Sequence, residues 1–151
     1  SAGNAIHLAN DFLYGISKTF GSGLRVTALP ANSSVLTCLA NDVDYESIFS
    51  MQLAVQGCRD DVLIALSGSG NSPNIVKGLE QANAMGMRTY AILGCSGGKA
   101  KALATVPIHF PIDDMANRRR SAQGGRGERN RNKRWDVKTE QNQQQTRRNI
   151  A

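Results

Sequence analysis

The chain has 151 residues, a length that fits one domain with a modest core. Its net charge of +6 is unevenly spread: residues 1–116 hold seven Lys/Arg against nine Asp/Glu, and residues 117–151 hold eleven against three. The whole basic excess lies in that tail, so charge excludes nucleic-acid binding as a property of the rest. No run of eighteen apolar residues and no basic-then-apolar leader occurs, so neither a membrane span nor a signal peptide is expected. Cys38, Cys58 and Cys95 are an odd, widely spaced set, which suits a reducing cytosol, and no Cys/His cluster has zinc-finger spacing.

In chain order, Ile6, Phe12, Leu13 and Ile16 recur at helical spacing and predict a helix over 2–20, stopped by Gly21-Ser22-Gly23. A short strand is expected over 24–29. Pro30 to Ser34 is turn chemistry, with Ser33 or Ser34 positioned to cap a helix through Ala40. Ile48, Phe49, Leu53 and Val55 predict a helix over 45–56. The run Val62-Leu63-Ile64-Ala65-Leu66 after two acids reads as a strand buried on both faces, as in a parallel sheet. A polar turn over 67–71 follows, and Pro73 suits the first turn of a helix that runs to Met85 and ends at Gly86. A strand over 88–93, a Gly-rich turn over 94–98, a short helix over 99–104 and a strand over 106–112 complete the pattern. This alternation argues for an α/β domain with a mostly parallel sheet and right-handed connections. The regular pattern stops at Ala116, and the composition of residues 116–151 predicts a disordered basic tail.

The chemistry concentrates in Leu66-Ser67-Gly68-Ser69-Gly70-Asn71-Ser72-Pro73-Asn74, between a strand and a helix. In open α/β sheets, ligands bind beyond the carboxyl ends of strands. Here glycines admit an anion to the backbone. Ser67, Ser69 and Ser72 supply hydroxyls, and a helix N-terminus adds free amides and a partial positive charge. The segment has no Lys or Arg, so it would hold phosphate by neutral donors and dipole. An ordinary Ser/Gly-rich connection has the same look, and the Gly-Lys-Ser/Thr ending of a P-loop is absent.

A strand ending in Ser-x-Ser-Gly-Asn-Ser resembles the phosphate loop of the SIS (sugar isomerase) domain family. The flanks are similar to its phosphoheptose isomerase branch: Ala40-Asn41-Asp42, Gly57 with Asp61-Val62-Leu63, Ala82 with Gly86-Met87, and Leu93-Gly94 with Gly97-Gly98. The opening Ser1-Ala2-Gly3-Asn4-Ala5-Ile6-His7 resembles the segment that follows Gly-Asn-Gly-Gly in that branch, and the likeness extends over residues 1–115. The resemblance implies a three-layer α-β-α sandwich on a five-stranded, flavodoxin-like sheet. It implies a cytoplasmic homotetramer converting sedoheptulose 7-phosphate to D-glycero-D-manno-heptose 7-phosphate, a heptose precursor for lipopolysaccharide or capsule, with no organic cofactor. Ser1, Ser67, Ser69 and Ser72 fall on its phosphate-binding positions, and Asn32 and Ser34 where the sugar is contacted. His7 matches a histidine that binds a divalent metal such as zinc in some members. Asp11 occupies the position of the catalytic glutamate, so His7 and Asp11 are the candidate catalytic and metal-binding pair.

Independently of the resemblance, positions i and i+4 share a helix face, so His7 and Asp11 can meet one ligand or ion. Aldose–ketose isomerisation needs a base over a C–H bond and an acid at the oxygens. A structural or solvated pair has the same spacing. Three departures from the family pattern stand out. Asp11 is one methylene shorter than glutamate, Gly68 replaces a frequent threonine, and no histidine follows His109. His109 itself reads as a packed core or edge-strand residue.

The resemblance also implies a chain incomplete at both ends. Residues 116–126 can be encoded so that a one-base shift reads Gln-Ile-Ala-Glu-Asp-Leu-Arg-Lys-Val-Val-Val, an amphipathic string like the family's last helix. The tail is thus either a frame-shift product or a genuine basic arm. Three functions follow: a sugar-phosphate isomerase, a non-catalytic SIS module binding a phosphosugar or a replication-initiator-type protein partner, and nucleic-acid retention by the tail alone.

Overall fold

A computed structural model describes residues 1–15 and 21–111, so the predicted tail over 116–151 lies outside the described residues. Helix α1 is Ala2–Asn10, continued by a π-helical turn, Asp11–Gly15. Then come α2 (Ser33–Asp42), α3 (Ser50–Gln56), β1 (Val62–Ser67), α4 (Pro73–Ala84), β2 (Arg88–Leu93), α5 (Gly98–Leu103) and β3 (Val106–His109). Among the described residues no helix is long and apolar enough to cross a membrane.

The three strands form one parallel sheet in the order β1-β2-β3. Val62 pairs with Arg88 through Ser67 with Leu93, and Tyr90 pairs with Val106 through Leu93 with His109. The α/β class and the parallel sheet are as expected. The count is not, for three strands rather than five occur among the described residues. Residues 24–29 make no strand. Leu24 instead donates its amide to the Phe12 carbonyl at 2.9 Å, which ties this stretch to the π-helical turn rather than to a ladder.

Both crossovers step in the same direction across the sheet, and connections of one hand then place both helices on one face. Ala65, Ala91 and Leu93 accordingly form a buried core with Leu79 of α4 and Ala100 of α5. Alanine at the strand centres lets these helices approach closely. A second cluster, of Leu53, Ala82 and Met87, packs α3 behind α4. This layering corrects the expectation that β1 is buried on both faces. Val62 is 54% exposed and Ile64 36%, so the face of β1 that carries them is only partly covered among the described residues.

Two further corrections have local causes. The helix expected over 45–56 is divided. Asp44 accepts the Ser47 amide at 2.6 Å, closing the 3-10 turn Tyr45–Ser47, and Ser50 Oγ donates to the Ser47 carbonyl. Such short side-chain bonds compete with continuous helix. At α2 the cap is Asn32, whose Oδ1 accepts from Val35 N at 3.2 Å, rather than Ser33 or Ser34. At the amino-terminal end of the sheet, Thr89 is fully buried. Its hydroxyl donates to Asn83 Oδ1 at 3.0 Å and accepts from Thr105 N at 2.9 Å, which joins the end of α4 to the start of β3.

Candidate functional site

Ser67 ends β1 at the carboxyl edge of the sheet, where its buried Oγ accepts the Gly70 amide at 3.0 Å and folds the chain back tightly. Ser69 Oγ accepts the Asn71 amide at 3.2 Å. Each hydroxyl acts here as an acceptor and retains its own hydrogen to donate outward. Ser72 caps α4 with its carbonyl, which accepts from Ile75 and Val76 at 3.0 Å, while its side chain makes no capping bond. The amides of Gly68 and Ser69 find no acceptor among the described residues. Three hydroxyls, two unengaged amides and the amino end of a twelve-residue helix therefore gather in one turn. Neutral donors at a helix N-terminus are suited to an anion such as an esterified phosphate.

The turn is held from the side by the next one. Asn71 Oδ1 accepts the Lys99 amide at 3.0 Å, and the Gly70 carbonyl accepts the Ala100 amide at 2.9 Å. Gly70 has φ +67° and lies so close to the Gly97 carbonyl that a Cβ would overlap it, so only glycine fits there. Sequence reading missed Asn71, Lys99 and Ala100 as supports, because they are 28 positions apart at the ends of the Asn71–Lys99 bond and no local pattern links them.

The other candidate residues lie elsewhere. His7 Nδ1 is 3.0 Å from Asp11 Oδ2, so the pair meets as the i, i+4 spacing implies, with side chains 77% and 53% exposed. Ser1 precedes α1 without a side-chain capping bond, and no hydrogen bond links α1 to the Ser67–Ser72 turn among the described residues. Asn32 and Ser34 are exposed at the start of α2, where Asn32 is engaged in the cap through Oδ1 and keeps its amide hydrogens free to donate. Among the described residues no group of three or more His, Cys, Asp and Glu side chains gathers to hold an ion. His7 and Asp11 supply two donors where zinc takes three or four, so the described residues do not by themselves fit a zinc site.

A family model described as the SIS domain matches residues 1–94. The chain belongs to the SIS domain family. As a SIS domain it is 41% identical over 114 residues to the phosphoheptose isomerase of Helicobacter pylori (strain HPAG1), covering 76% of this chain and 59% of that protein. It is 42% identical over 117 residues to the phosphoheptose isomerase of Akkermansia muciniphila, covering 78% and 61%. Among solved structures, the phosphoheptose isomerase of Neisseria gonorrhoeae superposes with a TM-score of 0.68 at 31% identity, over 76% of this chain and 60% of that one. That of Francisella tularensis gives 0.70 at 28% identity, over 77% and 62%. This SIS domain thus spans about three fifths of the length of the proteins it matches.

Proposed function

We propose that this SIS domain belongs to a sugar-phosphate aldose–ketose isomerase acting on sedoheptulose 7-phosphate and yielding D-glycero-D-manno-heptose 7-phosphate, a precursor of surface polysaccharide. The supporting observation is the Ser67–Ser72 turn, whose hydroxyls and amides point no charge of their own at a phosphate yet offer it several donors. Similarity to phosphoheptose isomerases supports the same reading. Phosphate held there fixes the far end of the sugar and lowers the entropic barrier to reaction at its other end.

In this reading the Asp11 carboxylate removes a proton from C1 of the ketose. The C–H pair forms the C1–C2 double bond of an enediol, and the ketone oxygen takes up a proton. Return of the proton to C2 and loss of one from the C1 hydroxyl give the aldehyde. His7, 3.0 Å from Asp11, orients the carboxylate. His7 and Asp11 supply only two of the three or four ligands a zinc needs, so no step of this reading runs through a metal. Assembly as a homotetramer and a cytosolic setting complete the proposal, the latter supported by the thiols of Cys38 and Cys58, which form no disulfide among the described residues.

A second reading, a SIS module that binds without catalysis, draws support from the exposure of the His7–Asp11 pair. Turnover of sedoheptulose 7-phosphate separates the two. Activity in the chain that disappears in Asp11→Asn supports isomerisation, and equal activity in both removes Asp11 from the reaction.

A further inference from the structure

The turn that supports the phosphate loop is itself gripped by two side chains that the reaction does not use. His109, at the end of β3, places Nε2 2.9 Å from the Cys95 carbonyl and Nδ1 3.2 Å from Lys101 Nζ. An ammonium only donates, so Nδ1 is the acceptor, and the ring hydrogen sits on Nε2 and points at Cys95. Lys101 thus fixes the tautomer that His109 needs to hold the turn. The contact is close: a Cβ on Gly97 would lie 2.9 Å from Lys101 Cδ and 3.3 Å from His109 Cδ2. Cys95, Gly97 and Gly98 all have left-handed backbone, with φ of 45°, 81° and 51°. For Cys95 that conformation is costly, and it persists only where the surroundings impose it.

This turn is the surface on which the phosphate loop rests. The Gly97 carbonyl abuts Gly70, and the Lys99 and Ala100 amides bond to Asn71 Oδ1 and the Gly70 carbonyl. We propose that His109 and Lys101 are positioning residues for the Ser67–Ser72 loop, acting through the Cys95 carbonyl and the Cys95–Gly98 turn. The proposal rests on the phosphate-binding reading for its functional consequence, but the mechanical link from His109 to Gly70 stands apart from it.

The test uses the full chain labelled with nitrogen-15, with and without inorganic phosphate. Without ligand, His109→Leu should speed hydrogen exchange of the Lys99 and Ala100 amides by about five- to tenfold, the effect of losing one hydrogen bond. With phosphate, the same variant should bind at the Gly68–Ser72 amides weaker by a similar factor. His109→Gln keeps an N–H for Cys95 and should restore both values. Lys101→Met, an exposed change that leaves the ring in place, should give intermediate ones. Thr89→Val lowers stability at the opposite end of the sheet and should leave both readouts unchanged, which separates positioning from general loosening. Wild-type exchange rates in His109→Leu and Lys101→Met would overturn the positioning link whether or not phosphate binds. Normal links in a protein that ignores phosphate would overturn the phosphate reading, and the functional role of His109 with it.

Discussion

Asn71 accepts the Lys99 amide through Oδ1 at 3.0 Å, and this bond joins two turns that each follow a parallel strand. The carboxyl edge of the sheet is therefore a coupled pair of loops. Asn71→Ala removes the bond and leaves the Lys99 amide to water. It should cost about 1 kcal/mol of stability and weaken phosphate binding severalfold, read by chemical denaturation and calorimetry.

Gly70→Ala should be more damaging. The residue is at φ +67°, where an L side chain is strained, and its Cβ would overlap the Gly97 carbonyl. A loss on the order of 1–3 kcal/mol is expected, with the two turns forced apart, measurable as a fall in Tm and as loss of phosphate-dependent shifts.

Thr89→Val tests the other end of the sheet. The substitution keeps the shape of the buried Thr89 but removes the partner of Asn83 Oδ1 and of the Thr105 amide at a part-buried junction. We expect a loss of about 1–3 kcal/mol in urea with no change in phosphate affinity.

The ion cluster of Lys77 with Asp44 and Glu46 makes a pH prediction. Lys77 Nζ is 3.3 Å from Glu46 and 3.5 Å from Asp44. The hydrogen bond to Glu46, then attraction to both acids, raises the Lys77 ammonium above its usual range. The Ser47 hydrogen bonds, with Lys77 adding, lower the Asp44 carboxyl. A raised cation contributes below its unfolded value and loses that contribution as pH rises through the folded value. A lowered acid contributes above its unfolded value and loses it as pH falls through the folded one. The stability difference between wild type and Lys77→Met should therefore be level near neutrality, shrinking in acid as Asp44 protonates and in strong alkali as Lys77 deprotonates. All three groups are well exposed, so salt should also reduce it.

Much of this arrangement was legible in the chain. The apolar run 62–66, Pro73 at the first turn of α4 and Gly86 at its end mark β1 and α4 without ambiguity, and Gly86 does adopt φ +75°. The strand-to-helix junction that carries the turn's serines was legible too, from the end of the apolar run and from Pro73. What local reading could not supply depended on distant partners. Residues 24–29 have strand composition but make no strand, and Leu24 bonds to the Phe12 carbonyl instead. Val62 and Ile64 have core composition but lie on the face of β1 opposite Ala65, outside the core that Leu79 and Ala100 build. Asn32 outcompetes Ser33 and Ser34 for the cap because its position, one residue earlier, already has extended backbone. The Asn71 clip and the His109 grip arise only when two loops meet.

The Ser67–Ser72 turn, as the proposed phosphate site, is the point on which the proposed function depends, and a titration of the labelled chain with sedoheptulose 7-phosphate reaches it most directly. Saturable shifts confined to the amides of Gly68 through Ser72 and the first turn of α4, at a Kd of roughly 1 mM or tighter, are the result expected. Shifts absent there at several times that concentration, in a chain whose other amides report a folded sheet, would contradict the account.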